Sequence, residues 1–357
     1  MLHLFSEYRL GDVVLKNRIV MSPMTRCRAI DNLPNDLMRT YYEQRAGAGL
    51  IISEGIAPSP NGLGYARIPG IFSEAQVAAW KPITEAVHAK GGSIFAQLMH
   101  TGRMSHPLNM PAGARVIAPS AIAADQQMYT DTDGMQPTPV PEAMTKDDIR
   151  TSIDEYVQAA RNAIEAGFDG VELHAANGYL LEQFIRPTSN QRDDEYGGGI
   201  ENRARFVLEV VEAVIDAIGA HKVGIRLSPY GVAGDLPLYD EMEADYDYLA
   251  IELDARDVIY VHLVDHSAMG APEVPASIKE IFRDEFCGTL MLAGGYDVQR
   301  AEKEIPAKAD LVAVGRDFIS NPDLLARWEK NIPLSKYDDS TFYTPDEKGY
   351  IDYPSYS

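Results

Sequence analysis

Short runs rich in Val, Ile and Leu alternate along this chain with longer segments whose apolar positions recur every three to four residues. The first pattern predicts buried strands, the second amphipathic helices. Strands are expected at 19–22, 50–53, 93–97, 170–173, 223–227, 258–263, 290–293 and 311–314. Helical patterns follow nearly all of them, among others at 74–89, 201–218, 276–286 and 298–305. Eight strand–helix units predict an α/β fold, a (β/α)8 TIM barrel with a parallel sheet. An open doubly wound sheet fits less well, since no Gly-x-Gly-x-x-Gly follows the first strand.

Two segments interrupt the alternation. Residues 4–15 read as a hairpin ahead of the first strand, placed to plug the barrel floor. Residues 101–145 are rich in Pro, Gly, Ala and Ser and carry no helical period. A stretch that long is a functional loop or small subdomain, and after strand three it would rise over the C-terminal face. Residues 331–357 form a polar C-terminal extension whose Tyr343, Tyr350, Tyr353 and Tyr356 predict docking on the body. The expectation is a single domain spanning 1–357.

Composition narrows the partners more than the fold. Acidic residues outnumber basic ones 53 to 32, a formal net charge of −21. That balance disfavours nucleic acid and anionic membranes, so an anionic cofactor needs a local cluster of donors. The two cysteines, Cys27 and Cys287, lie far apart without metal-ligand spacing, which excludes a disulfide framework and predicts a reducing compartment. With no signal-like start and no apolar run long enough for a bilayer, a cytoplasmic protein is expected, monomeric or homodimeric.

The chemistry concentrates in Val171-Glu172-Leu173-His174-Ala175-Ala176-Asn177-Gly178-Tyr179. An apolar strand ends on His174. Asn177 follows three residues later and can aim N–H donors at the same oxygen, while Tyr179 supplies a phenolic proton. That set suits polarising a carbonyl or nitro group and protonating a neighbouring carbon. In a barrel, strand C-termini converge on one mouth. Thr25, Gln97, Arg226 and Arg316 also fall at or near such ends, where strands are ordinarily apolar, and six polar residues around one rim predict a shared ligand. Arg226, on a central strand, requires an anion or acceptor; this is either Glu172 next door or negative charge on a cofactor. Gly294-Gly295 and Gly315-Arg316 follow strands seven and eight, the usual phosphate position of such barrels. A metal at His174 and Asn177 is disfavoured, because no second His or carboxylate cluster is expected at the neighbouring strand ends. The acidic stretch 241–257 reads as a solvated helix face, and His100 and Arg103 as anchors of the long excursion.

Four ordered motifs resemble the Old Yellow Enzyme family, in the branch that holds bacterial N-ethylmaleimide, pentaerythritol tetranitrate and morphinone reductases. They are Asn17-Arg18-Ile19-Val20-Met21-Ser22-Pro23-Met24-Thr25-Arg26, Gln97-Leu98-Met99-His100-Thr101-Gly102-Arg103, the His174 motif, and Asp194-Glu195-Tyr196-Gly197-Gly198 through Glu201-Asn202-Arg203. The likeness extends to Ile351-Asp352-Tyr353-Pro354. It implies non-covalent FMN, reduction by NADPH or NADH, and ping-pong reduction of α,β-unsaturated aldehydes, ketones, imides or nitroalkenes. Hydride would pass from flavin N5 to the β-carbon. By the same resemblance Thr25 lies near the flavin O4, Pro23, Met24, Gly55 and Gln97 line the ring, and Arg226 sits beside N1 and O2. Gly294, Gly295, Gly315 and Arg316 would grip the phosphate. His174 and Asn177 would hold the substrate oxygen or a phenol, Tyr179 would protonate the α-carbon, and Tyr65, Met99 and Tyr343 would surround the substrate. Nitro or nitrate-ester reduction, as in xenobiotic detoxification, is the alternative on the same scaffold. The chain departs from the family at Met99, where a Trp is common, and at Gly199, where a Ser is common; Asn177 stands where some members carry His. Met99 predicts a roomier, more adaptable pocket.

Overall fold

The computed structural model describes residues 3–305 and 307–356. Eight parallel strands close into a barrel: β1 (Ile19–Met21), β2 (Leu50–Ile56), β3 (Ile94–Leu98), β4 (Gly170–Ala175), β5 (Val223–Leu227), β6 (Tyr260–Val264), β7 (Thr289–Ala293) and β8 (Leu311–Val314). Each pairs with its chain neighbour, and β8 pairs with β1 to complete the ring. The outer layer includes α1 (Asp36–Gln44), α2 (Glu74–Ala89), α3 (Lys146–Glu165), α4 (Leu180–Ile185), α5 (Ile200–Arg203), α6 (Arg205–Ile218), α7 (Met242–Asp254), α8 (Ala276–Glu285), α9 (Val298–Glu304), α10 (Arg316–Ser320) and α11 (Leu324–Lys330). Capping boxes start α2 and α3: Ser73 and Gln76 satisfy each other's backbone N–H groups, as do Thr145 and Asp148.

Alternation along each strand sorts the barrel interior into an apolar floor and a polar roof. The floor holds Val20, Leu50, Ile52, Phe95, Tyr260, Met291 and Leu311, closed from below by Leu10 and Leu15. Those two leucines belong to the antiparallel hairpin Tyr8–Leu10 and Val13–Leu15, the expected plug. Two strand glycines make the large rings fit. A Cβ on Gly170 would lie 2.5 Å from Phe95 Cζ, and one on Gly224 would overlap Tyr260 Cζ. Above the floor stand Gln97, Glu172, His174, Arg226 and His262, all buried.

Two details differ from the sequence expectation. The β2 strand runs through Ser53 and Glu54 to Ile56, with a register shift between Ile52 and Gly55; such irregularity hides the alternation that marks a strand. The acidic helix α7 is not wholly solvated. It buries Met242, Tyr246, Leu249 and Leu253, and also Asp245, which pairs with Arg203 at 2.8 Å and accepts from Tyr239 at 2.7 Å.

The excursion after β3 forms a small hairpin, Gln127–Thr130 with Gly134–Pro137. It is tied to the loop after β5 by Arg103, whose Nη2 donates to the carbonyls of Gly234 and Asp235 at 2.9 Å each. At the other end of the chain, Tyr350 is buried and stacks on Tyr41 with ring centroids 4.2 Å apart. Arg26 and Arg28 donate to the carbonyls of Phe342, Gly349 and Thr341, holding this segment against β1.

Candidate active site

A cavity of about 540 Å³ opens at the C-terminal ends of the strands. Its wall includes Pro23, Met24 and Thr25 after β1, Gln97 and Met99 from β3, and His174, Asn177 and Tyr179 from β4 and its loop. Arg226, Gly294, Gly295, Gly315, Arg316 and Tyr343, also expected from sequence, lie on the same wall. Two expected residues are not on the wall. Gly55 lies on β2 just past the register shift, paired with Gln97: a Cβ there would lie 2.5 Å from Met99 Sδ, so this glycine makes room for the methionine. Tyr65 stands behind Tyr179, accepting a 3.1 Å hydrogen bond from its hydroxyl. No residue of the long excursion lines the cavity among the described residues; Tyr337, Phe342 and Tyr343 of the C-terminal segment do.

The β4 loop is built to present its donors. Asn177 has φ +59° and Gly178 φ +80°, a left-handed turn that Asn and Gly tolerate best. The Asn177 N–H donates to Ser228 Oγ at 2.9 Å and the Gly178 N–H to Glu182 Oε2 at 2.7 Å. Ser228 and Arg186 both donate to the buried Glu182 carboxylate, so strand end, turn and α4 are locked together. His174 and Tyr179 meet edge to face with ring centroids 4.9 Å apart.

Two buried polar groups on the wall lack partners among the described residues: His174 Nδ1 and Arg226 Nε. Glu172 is occupied elsewhere. It accepts from Gln97 Nε2 at 2.8 Å and Tyr260 hydroxyl at 3.1 Å, and it meets His262 Nδ1 at 2.8 Å. Burial pushes the Glu172 carboxyl up, but His262, Arg226 and Gln97 outweigh it and hold it ionised, below its ordinary value. Glu172 thus balances the Arg226 charge through space and leaves the guanidinium donors unspent. Burial, reinforced by Arg226, keeps His174 neutral, well below the usual imidazole range. Burial also raises Tyr179, so its phenol keeps its proton at neutral pH.

Sequence reasoning missed His266. No second His is expected at the neighbouring strand ends, yet His266, from the loop after β6, approaches Asn177 Oδ1 to 2.6 Å. The signal was present: Val264-Asp265-His266 is a polar break at a strand end, the same cue that marked His174. Among the described residues no group of three or more His, Cys, Asp or Glu is arranged to hold a metal.

Residues 3–335 match the model of the NADH:flavin oxidoreductase / NADH oxidase family. The chain belongs to this family. Its relatives cover nearly the whole molecule. It is 43% identical to 12-oxophytodienoate reductase 1 of Oryza sativa subsp. japonica, over 98% of this chain and 92% of that protein. The structure of morphinone reductase in complex with tetrahydroNAD superposes with a TM-score of 0.95 at 46% identity, covering 99% of this chain and 98% of that one. The Old Yellow Enzyme homologue of Zymomonas mobilis gives a TM-score of 0.94 at 42% identity, over 98% and 99%. Membership makes the barrel a nicotinamide-dependent flavin oxidoreductase and bears out the resemblance carried by the four sequence motifs. Among the described residues, no helix is long and apolar enough to cross a membrane.

Proposed function

We propose that this protein is an FMN-dependent ene-reductase that uses NADH or NADPH to reduce electron-poor alkenes. The observation that carries this reading is one cavity wall that brings His174 and Arg226, each with a buried nitrogen (Nδ1 and Nε) lacking a partner among the described residues, beside the protonated Tyr179. A buried cation without an acceptor fits a ring that carries negative charge when reduced. Gly294 (φ +143°) and Gly295 (φ +63°) give bare backbone N–H groups beside Gly315 and Arg316, suited to a phosphate. These residues fit FMN: Arg226 would hold the ring, Thr25 and Gln97 its polar edge, and the glycine group with Arg316 the phosphate.

When bound, the flavin supplies two-electron chemistry, taking hydride from the nicotinamide and passing it to the alkene. The protein's own part follows from its residues. His174, a neutral imidazole, and Asn177, an amide, donate to the substrate oxygen and draw electron density from the distal carbon. Tyr179 donates its proton to Tyr65 at rest and, by turning its hydroxyl about the C–O bond, would present it to the α-carbon. Met99 presents a flexible thioether where a rigid aromatic would narrow the pocket, which extends the range of guests to bulkier enones and to nitrate esters. The same donor pair suits phenols.

Anaerobic stopped-flow mixing tests the proposal. NADH or NADPH should bleach the visible flavin absorbance, and 2-cyclohexenone should restore it in a separate second step. A colourless protein after purification, or bleached flavin that enones do not reoxidise, would overturn it; reoxidation by a nitrate ester alone would favour the detoxifying activity.

A further inference from the structure

The Asn177 amide has two faces, and only one is useful. With N–H toward the cavity it grips a substrate oxygen; with C=O toward the cavity it repels one. The backbone of Asn177 is fixed by Ser228, but that bond leaves the side-chain amide free to turn over. What touches the amide is His266 Nε2, 2.6 Å from Oδ1, reaching it from a segment 89 residues away.

We infer that His266 is a positioning residue: its Nε2–H holds the Asn177 carbonyl, so both amide hydrogens face the substrate oxygen. This deepens the proposed ene-reductase reading and rests on it. One observation supports the direction of the bond and two its placement. Asp265, the adjacent carboxylate, is turned away, with Oδ1 accepting from the Ser267 N–H at 2.9 Å and Oδ2 facing Lys279 Nζ at 3.3 Å, so Asn177 Oδ1 is the acceptor His266 meets. The His266 backbone is held in a turn, its carbonyl accepting from the Met269 N–H at 2.8 Å. A left-handed glycine neighbour keeps the approach open, since a Cβ on Gly294 would lie 2.6 Å from the Asp265 carbonyl. Burial and the nearby Arg226 lower the imidazole to about 4, so at neutral pH it carries a single N–H, and the short contact to Oδ1 spends it. His266 also lines the cavity, so acting on the ligand directly is the rival role that a test must separate.

The test titrates 4-hydroxybenzaldehyde into the flavin-loaded enzyme and reads its dissociation constant from the visible flavin spectrum. His266→Ala should weaken binding about tenfold, the scale of one net hydrogen bond, with flavin content unchanged. His266→Gln, whose amide can donate from the same place, should recover most of the loss. In an Asn177→Ala background, His266→Ala should have little further effect, because the two act as one unit. A full His266→Ala loss in that background, or no recovery by His266→Gln, overturns the positioning role. If Asn177→Ala weakens binding while His266→Ala does not, only this inference falls. If Asn177→Ala itself leaves phenol binding unchanged, the donor-pair reading falls and takes this inference with it. Should His266→Ala not fold, His266→Leu, which fills similar space without a donor, replaces it in both backgrounds and gives the same cycle.

Discussion

His174 and Tyr179 are set apart by their surroundings as much as by their chemistry. Burial and three neighbouring cationic or titratable groups keep the imidazole neutral, and burial keeps the phenol protonated, so one donates without charge and the other holds a transferable proton. His174→Ala should weaken phenol and enone binding by roughly 10- to 100-fold, the cost of one well-made donor in a dry site, with flavin retained; spectral titration checks it. Tyr179→Phe should leave flavin reduction by nicotinamide near wild-type rate and slow enone-driven reoxidation by about 10²- to 10⁴-fold. Equal slowing of both half-reactions would remove Tyr179 from the proton-donor role. Most of the residues proposed for these roles were legible in the sequence, because polar side chains at strand ends violate the apolar rule there. The part of His266 was not, because the His266–Asn177 contact joins positions 89 apart.

At the scale of elements, the barrel depends on pairing bare strand positions with large rings. Gly224 on β5 faces Tyr260 on β6, whose hydroxyl reaches up to Glu172. The tyrosine thereby joins the apolar floor to the polar layer above it. Gly224→Ala forces the ring aside and should destabilise by about 1–3 kcal/mol, as over-packed interiors do. It should also loosen Glu172, and through it the charge balance of Arg226. Denaturant unfolding and flavin retention of the variant test both effects; a stability equal to wild type would mean the ring relocates freely. The order and kind of these elements could be read from hydrophobic periodicity. The buried Asp245 of α7 could not, because an acid that pairs with Arg203 looks in sequence like any solvated one.

Across the whole molecule, one buried carboxyl links the barrel to the C-terminal segment. Glu54 sits within the arginine and tyrosine cluster that holds residues 341–350, accepting from Tyr42 hydroxyl at 3.3 Å and the Arg26 N–H at 3.4 Å. Burial raises it from 4.5 to about 7, more than its hydrogen bonds and Arg26 lower it. The folded state therefore holds this proton more tightly than the unfolded chain. Its contribution is full below about pH 4.5 and is lost as pH rises through 7. Glu54→Gln removes the titration, so the stability of the variant relative to wild type should climb by roughly 2–3 kcal/mol between pH 5 and 8, at about 1.4 kcal/mol per unit. Urea unfolding at both pH values reads this directly, and a constant difference would show that Glu54 does not titrate in that range. The same segment carries Tyr337, Phe342 and Tyr343 to the cavity, so its anchoring bears on the site as well.

Local pattern alone determined the eight strand–helix units, the hairpin plug and the polar rim, because burial on a strand or helix leaves a period that the chain cannot hide. Only the folded barrel decided which of two residues far apart in sequence meet: His266 with Asn177, Tyr65 with Tyr179, Arg26 with the carbonyls of the C-terminal segment. The reason is that a hydrogen-bond partner is fixed by where strands close in space, and closure is a property of the whole ring that no single segment encodes.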